Sequence, residues 1–445
     1  MAKTPPAKKG SRLLSLAGMT ARIGSDVARD RWQRLWQKDI DRSAADAELY
    51  TRLGKEIAGT LGSMKGAVMK VGQIISQYRD VLPPELIEAL SSLQNQAPPR
   101  PFSEIEARLI EAFGSDWRQH FSHFDETALA SASIAQVHRA RTLDGREIVV
   151  KVQYPDVDAS IKADLGQLRM AFKIARVLPV KGDLLDAIFE EIRQSLNDEL
   201  DYFLEASTLQ RFREFHSDDA QVIVPEVLVE LSTRRVLSLI YEPGDHFAQL
   251  DEHYDQATRN ILGERLFRTI ARQLFVLKTV HCDPHPGNFA ARPDGSLVIY
   301  DFGSVKAMSG VGVQHYAAIT QAAFAGDTER LEQGLIAMGA RNTEHTPYLG
   351  SDFYAPWIRL AQASIDTKPV NYAEFPLAEI AMKLSRKALP QWRAFQPVPE
   401  QVMINRAIGG HYWNLREIRA ELAMRAFAEK LVAEALAGEA LSLKQ

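Results

Sequence analysis

The sequence predicts an α+β fold in which a small β-rich lobe precedes a helical lobe, with helical regions on either side. Short β-type runs at 134–140 and 147–152 are separated by Asp144-Gly145, a dipeptide typical of hairpin turns. Stretches with helical periodicity surround these runs, and the pattern after Gly310 is helical apart from prolines. Strands grouped between helical regions favour an α+β arrangement over alternating βα units.

The composition is that of an ordinary folded protein with a large core. The 445 residues are 46% hydrophobic and 25% charged, which excludes a disordered or collagen-like chain. A net charge of −4 argues against a general nucleic-acid binder. The single cysteine, Cys282, rules out an internal disulfide and fits a reducing compartment. No apolar run reaches the roughly 18 residues of a spanning helix, so we expect a soluble or peripheral protein.

The first 40 residues form a basic amphipathic tail. Up to Ser25 the tail carries Lys and Arg but no acidic residue, and Leu13, Leu16 and Ile23 follow a helical stripe. Three interpretations stay open: a frayed tail leading into a packed helix, a membrane-surface contact, or an organelle transit peptide. We therefore expect a cytoplasmic protein, which would be peripheral at the inner face of the membrane if the tail contacts a membrane surface. The alternative is a mitochondrial or plastid location, which applies if the tail is a transit peptide.

Four further regions follow the tail. Helical periodicity with Pro83-Pro84 and Pro98-Pro99 as breaks marks a helical N-terminal extension over 41–127. The β-rich lobe, with helical stretches inserted at 159–178 and 184–212, covers 128–242. Predicted for the rest of the chain are a helical-lobe core at 243–330, with a polar loop and a hairpin, and a C-terminal helical region at 331–445.

Asp283, Asn288 and Asp301 carry the chemistry. Pro284 and Pro286 keep the Asp283-x4-Asn288 loop from being helical, and Asp301-Phe302-Gly303 follows a predicted strand. This is the spacing of the catalytic loop and metal-binding turn of protein kinases. Asn288 and Asp301 are candidate oxygen ligands for Mg²⁺, and Asp283 is the candidate carboxylate beside the attacking hydroxyl or water.

Lys151 and an alanine-rich segment complete the kinase-like pattern. Lys151 ends a β-type run in the style of the kinase strand lysine that contacts nucleotide phosphates. Upstream, 130–137 aligns with the kinase glycine-rich loop, but alanine replaces each glycine, so the loop should be stiffer. The candidate nucleotide-binding residues of this segment are Ala130, Ser131, Ala132, Ser133, Ala135 and Val137. No Ala-Pro-Glu segment follows Gly303, which argues against a conventional protein kinase.

Together these motifs make the chain resemble the AarF/UbiB family of atypical kinases, whose eukaryotic members support coenzyme Q biosynthesis. The resemblance covers about residues 50–305. The motifs that carry it are Lys70-Val71-Gly72-Gln73, the alanine-rich segment 130–137, Glu199-Leu200-Asp201 and the loop from His281 to Phe289.

The resemblance implies a protein-kinase-like two-lobe fold with ATP, or ADP, and Mg²⁺ between the lobes. In the family, the Lys-x-Gly-Gln extension packs over the active site, which would make Lys70 and Gln73 catalytic-site residues. Glu199 is the candidate ion-pair partner of Lys151, and Asp201 the candidate partner of the Lys70 segment, although these two could be exchanged. We also count Asp201 and Glu242 among the candidate cofactor-binding residues.

The expected activity is an ATPase or a phosphotransferase acting on a small molecule or lipid. The resemblance implies a lipid or quinone-precursor ligand and peripheral contact with an anionic membrane, and a homodimer stays open.

The chain differs from the pattern of the AarF/UbiB family at two places. Ser131 replaces a usual alanine, and the tail from Ile418 through Ala435 has the pattern of an amphipathic helix where many bacterial relatives carry membrane spans.

Two competing functions remain at this point. His281, Cys282, Asp283 and His285 could ligate zinc in a metal hydrolase, although the two prolines break the helix that would align the histidines. A nucleotide-gated pseudokinase scaffold without turnover would explain the alanine-rich loop. We expect Cys282 to be a buried, inert thiol, with a redox switch as the alternative.

Overall fold

The computed structural model describes residues 51–52 and 100–438, with gaps at 133, 156, 158–164, 167–168, 170–181, 345–348 and 397. The predicted tail at 1–40 and most of the predicted extension, with Lys70 and Gln73, lie outside the described residues, as does Ser133. The chain divides into two compact units. Their bounds are Met1–Ser207 with Val227–Tyr241, and Thr208–Glu226 with Glu242–Gln445. The domain boundaries derived from the sequence stay predictions.

The first unit contains a four-stranded antiparallel sheet. Its strands, in spatial order, are Phe121–Ser131, Ala135–Thr142, Glu147–Gln153 and Val236–Ile240. In the third of these, Ile148, Val150 and Val152 are fully buried, while Lys151 between them is not. Alternation along a strand sends neighbouring side chains to opposite faces, so Lys151 lies on the face away from this apolar row.

One hairpin of this sheet was predicted correctly and one strand was missed. The turn at Asp144-Gly145 is confirmed, because Gly145 has a φ of 90°, which favours glycine, and its N–H bonds to the Thr142 carbonyl. The strand Phe121–Ser131 begins inside the stretch 41–127, which was assigned to the helical extension. Its pairing with the next strand shifts register repeatedly, and such bulges break the alternation that reveals a strand.

A helix at Phe102–Phe113 packs its Ile105 and Leu109 into the core of this unit. The helix ends at Gly114, whose φ is 89°. Arg108 on the same helix is buried and donates to the carbonyls of Gln153 and Tyr154. Short 3₁₀ turns lie at Trp117–His120 and Val229–Leu231.

Two helices replace the single helical stretch expected at 184–212. They are Gly182–Glu199 and Tyr202–Phe215. The Asp201 side chain accepts a hydrogen bond from the Phe203 N–H at 3.1 Å, which caps the first turn of the second helix. The Leu200 carbonyl between the helices accepts from Gln153 and Arg235, so the break is anchored to the sheet.

The second unit combines small sheets with many helices. A parallel pair and two antiparallel pairs form its four-stranded sheet. The strands of that sheet, in spatial order, are Val222–Ile223, Leu297–Ile299, Phe289–Ala291 and Asp245–His246. Two further antiparallel pairs of the unit join Thr279–His281 with Val305–Ala307 and Val370–Asn371 with Glu421–Leu422. Its helices are Leu250–His253, Gln256–Arg272, Gly310–Ala325, Thr328–Ala337, Ser351–Ser364, Leu377–Ala388, Pro399–Glu417 and Arg425–Ala437, with a π-helical turn at Gln273–Leu277 and 3₁₀ turns at Phe247–Gln249, Pro286–Asn288 and Leu389–Ala394.

A buried hairpin forms the centre of this unit. The strands Phe289–Ala291 and Leu297–Ile299 pair antiparallel, and all of their residues are fully buried. Gly295 in the connecting turn has a φ of 81°, as the predicted Arg-Pro-Asp-Gly turn requires. The 281–288 loop precedes this hairpin, and Asp301 follows it, so one rigid element separates the two predicted parts of the metal site.

The C-terminal region is helical, as predicted, with one local difference. The amphipathic helix expected from Ile418 begins only at Arg425, because Leu422 belongs to a short strand paired with Val370. Within the part of the chain that the structure describes, none of the helices combines the length and apolar character needed to cross a bilayer.

Candidate functional site

In the first unit, Lys151 forms an ion pair with Glu205. The Lys151 Nζ lies 2.7 Å from the Glu205 Oε1, and the side chains are 17% and 4% exposed. The ammonium also lies 5.2 Å from the centre of the Tyr202 ring. Because a charged pair removed from water has a preferred geometry, this arrangement holds the Lys151 amine in one place.

The expected partner of Lys151 was Glu199, and the structure corrects this. Glu199 is the last residue of the helix Gly182–Glu199 and is partly exposed, whereas Glu205, in the first turn of the next helix, is buried. The sequence pattern did not reveal the break at Leu200 and Asp201, and Glu205 of the second helix is the residue that meets Lys151. The Asp201 carboxylate pairs with Arg234 at 3.1 Å in addition to its capping role.

The alanine-rich segment forms the tip of the first hairpin. Ala130 pairs with Val137 and Ser131 with Gln136, and the Ala132 N–H donates to the Ala135 carbonyl at 2.9 Å. The last described pairing before the tip is therefore Ser131 with Gln136, and a backbone bond links Ala132 to Ala135 across the tip. A nucleotide contact of its described residues stays a prediction, as does the role of Ser133.

In the second unit, the Asn288 side chain is hydrogen-bonded to the backbone of Asp283, five residues earlier in the same loop. Its Nδ2 donates to the Asp283 carbonyl at 3.2 Å, and its backbone N–H donates to the His285 carbonyl at 2.9 Å. The His285 Nδ1 accepts from the Gly287 N–H at 3.0 Å. Because the Asn288 amide group is used as a donor within the loop, its oxygen is the atom suited to a cation.

Asp301 belongs to a compact turn. Its Oδ1 accepts a hydrogen bond from the Gly303 N–H at 2.8 Å. Phe302, between them, is 1% exposed, and its ring lies 4.7 Å from that of Phe212 and 5.2 Å from that of His281. The buried Phe302 thus anchors the turn while Asp301 remains partly accessible.

His281 connects the 281–288 loop to this turn. Its Nε2–H donates to the Asp301 carbonyl at 2.5 Å, and its backbone N–H donates to the Gln273 Oε1 at 3.0 Å. The Cys282 N–H also donates to the Ser304 carbonyl at 2.8 Å. These bonds cross-link the segments that carry Asp283, Asn288 and Asp301, so the predicted candidates are brought together within one unit.

Burial keeps the nearby histidines neutral. It lowers the pKa of His281, and it lowers the pKa of His411 to about 3, with the neighbouring His281 adding to that shift. Among the described residues, no group of three or more His, Cys, Asp or Glu side chains is arranged to hold a metal. His281 instead orients the loop through the Asp301 carbonyl, which favours the kinase-like interpretation over the zinc hydrolase.

Oxygen donors from Asn288 and Asp301 fit a magnesium ion. An amide oxygen and a carboxylate are ligands that Mg²⁺ prefers, and few protein ligands are usual when substrate phosphates supply the rest. The assignment of these residues as metal ligands stays a prediction.

Glu242, a candidate cofactor-binding residue, begins the second segment of the second unit. Its carboxylate pairs with Arg292 at 2.5 Å, and its carbonyl accepts from the Tyr300 hydroxyl at 2.8 Å. Both contacts secure the chain immediately after the strand Val236–Ile240. The structure therefore shows an anchoring role for Glu242, and its contact with a cofactor stays a prediction.

We expect Cys282 to be unreactive in the folded protein. The side chain is 1% exposed, its Sγ–H donates to the Val280 carbonyl, and burial raises the pKa of the thiol to about 12. Because the thiolate is the reactive form, labelling by a disulfide reagent at pH 8 should be at least about a hundredfold slower than in urea. Rapid labelling of the native protein would contradict this and restore the redox-switch alternative.

Sequence reasoning did not find three groups near these sites. Glu205 lies only four residues after the Glu199-Leu200-Asp201 motif, and this proximity was the one signal in the sequence that could have marked it as a partner of Lys151. His411 and Asn414 lie more than a hundred residues after the 281–288 loop that they contact. No local pattern in the sequence connects them to it.

Comparisons with known proteins place this chain among known relatives. A family model for the ABC1 atypical kinase-like domain matches residues 92–335, more than half of the chain. The chain is 30% identical over 379 residues to the mitochondrial atypical kinase coq-8 of Caenorhabditis elegans, a match that covers 82% of this chain and 49% of that protein. It is 33% identical over 298 residues to the mitochondrial atypical kinase COQ8 of Saccharomyces cerevisiae, covering 64% of this chain and 56% of the other. The chain thus spans about half the length of these relatives.

Among solved structures, the Mycobacterium tuberculosis protein Rv3197, determined in complex with erythromycin, is similar with a TM-score of 0.61. The two are 27% identical, and the match covers 90% of this chain and all of the other.

Proposed function

This chain belongs to the family of ABC1 atypical kinase-like domains, and from that premise we propose that it uses ATP and Mg²⁺ for phosphoryl transfer or ATP hydrolysis. The observation that carries the proposal is the cross-linking of Asp283 and Asn288 to Asp301 through His281. Phosphoryl transfer depends on positioning and electrostatic stabilisation, which such a rigid arrangement supplies.

Each residue has a distinct role in this proposal. Asn288 and Asp301 hold the metal, and bound Mg²⁺ supplies positive charge to the phosphate oxygens. Lys151, fixed by Glu205, contacts the nucleotide phosphates. The Asp283 carboxylate orients the attacking hydroxyl or water and accepts its proton.

The acceptor that we propose is a small molecule or lipid, such as a quinone precursor, at a membrane surface. After Gly303 the chain forms the short strand Val305–Ala307 and enters the helix Gly310–Ala325 at once. This connection leaves little chain for the platform on which conventional kinases place a peptide. The similarity to mitochondrial atypical kinases supports an acceptor other than a peptide, and it also favours a mitochondrial location over a cytoplasmic one.

A second candidate function is a nucleotide-gated scaffold without turnover. The hairpin tip at 130–137 favours it, because alanine side chains restrict the close approach of backbone to phosphate that glycine allows.

The experiment that separates the two candidates measures phosphate release from ATP with Mg²⁺. It is run with and without anionic liposomes and a quinone-like phenol, and ATP binding is measured in parallel. We expect turnover that rises with liposomes. Binding of ATP without turnover under every condition would contradict the proposal and support the scaffold.

A further inference from the structure

The helix Pro399–Glu417 packs directly on the 281–288 loop. At Gly410 an added Cβ would lie 2.1 Å from the Pro284 Cγ and 2.6 Å from its Cβ. Real side chains do not approach so closely, so the loop can take this position only because residue 410 has no side chain. The preceding Gly409 has no neighbouring atom within 4 Å of the corresponding point.

Asn414, one turn further along the helix, bonds to the same residue. Its Nδ2 donates to the Pro284 carbonyl at 3.0 Å, and the side chain is almost fully buried. His411, between them, lies with its ring 5.4 Å from that of Phe289, immediately after the loop. A buried amide that donates to a loop carbonyl constrains the loop, since leaving either group without a bond is costly.

The other end of this helix holds the segment after Asp301-Phe302-Gly303. The Glu400 carboxylate accepts hydrogen bonds from the backbone N–H and the hydroxyl of Ser309. Ser309 is the N-cap residue of the helix Gly310–Ala325. One helix from the C-terminal region therefore contacts both the loop that carries Asp283 and Asn288 and the segment that follows Asp301.

We propose that Gly410 and Asn414 are positioning residues, which place the Asp283 carboxylate by seating Pro284. The proline ring fixes its own φ and restricts the backbone of the residue before it, which is Asp283. Seating the ring against Gly410 and the carbonyl against Asn414 thus fixes the backbone from which the Asp283 side chain extends. This inference rests on the proposed function through the role of Asp283.

Cys282 provides a test that does not need ATP turnover. As the single, buried cysteine beside Asp283, it reports opening of the loop through its rate of labelling by a disulfide reagent. Gly410→Ala should raise this rate by about tenfold or more, because overpacking displaces Pro284. The matched control, Gly409→Ala, makes the same chemical change on the same helix and should stay within about twofold of wild type.

Asn414→Asp is the second variant, since it keeps the side-chain shape but cannot donate to the Pro284 carbonyl. It should also label faster, by about fivefold, as expected for loss of a buried hydrogen bond. Thermal unfolding of each variant, followed by circular dichroism, shows whether faster labelling comes from the loop or from a globally unfolded protein.

Steady-state kinetics show whether Gly410 and Asn414 position Asp283 or only stabilise the fold. In both Gly410→Ala and Asn414→Asp, kcat should fall by about tenfold or more while KM for ATP stays within about twofold, because Asp283 does not hold the nucleotide. Equal labelling of Gly409→Ala and Gly410→Ala variants, or a change confined to KM, would overturn the inference. If wild type shows no turnover, the proposed function fails, and the labelling rates alone decide whether the helix seats the loop.

Discussion

Replacing Asp301 with Asn is expected to reduce ATP turnover by about a hundredfold to a thousandfold, the loss typical of removing one charge-stabilising group from an active site. The amide oxygen of Asn can still accept the hydrogen bond from the Gly303 N–H, and Phe302 remains buried. The fold of the turn should therefore persist while the negative charge that we propose for the metal site is lost. Phosphate release at saturating ATP and Mg²⁺ measures the effect.

Asp327→Asn provides the matched control. Asp327 accepts from the Arg330 N–H as the N-cap of the helix Thr328–Ala337, so the same isosteric change occurs at a hydrogen-bonded Asp in the same unit. We expect its turnover to equal that of wild type. An Asp301→Asn protein that turns over ATP normally would remove Asp301 from the metal site and refute the proposed mechanism.

Glu205→Gln should both destabilise the protein and weaken its activity. The Lys151 and Glu205 side chains are 17% and 4% exposed, so the change leaves a largely buried ammonium without its carboxylate. Breaking a buried pair in this way costs about 3 kcal/mol of unfolding free energy. A less constrained Lys151 should also raise KM for ATP. Urea unfolding followed by tryptophan fluorescence measures the first effect, and initial-rate kinetics measures the second.

An exposed pair in the same unit serves as the comparison. Glu190 and Arg193 are joined on the helix Gly182–Glu199, with 60% and 49% of their side chains exposed. Glu190→Gln should leave both the unfolding free energy and the kinetics unchanged, because surface ion pairs contribute little. If Glu205→Gln behaves like Glu190→Gln, then the ion pair with Glu205 is not what holds Lys151.

Features with local causes were predictable from the sequence. Asp283 and Asn288 are separated by a short proline-bearing loop, and Asp301 follows one hairpin later, so covalent distance alone keeps them near each other. The hairpin turns were equally predictable, since Gly145 and Gly295 adopt positive φ angles that other residues disfavour. The kinase-like fold and the family followed from these motifs, and both are confirmed by the family match at residues 92–335.

Tertiary structure decided which distant groups meet. Glu205, which follows a helix break capped by Asp201, pairs with Lys151, whereas Glu199 was the expected partner. The strand Phe121–Ser131 was hidden by its bulges, which remove the alternating pattern. Gly410 and Asn414 meet Pro284 although more than a hundred residues separate them. Local sequence determines backbone preference and short-range spacing, whereas packing of complete elements selects the long-range contacts, and no neighbouring residue encodes that choice.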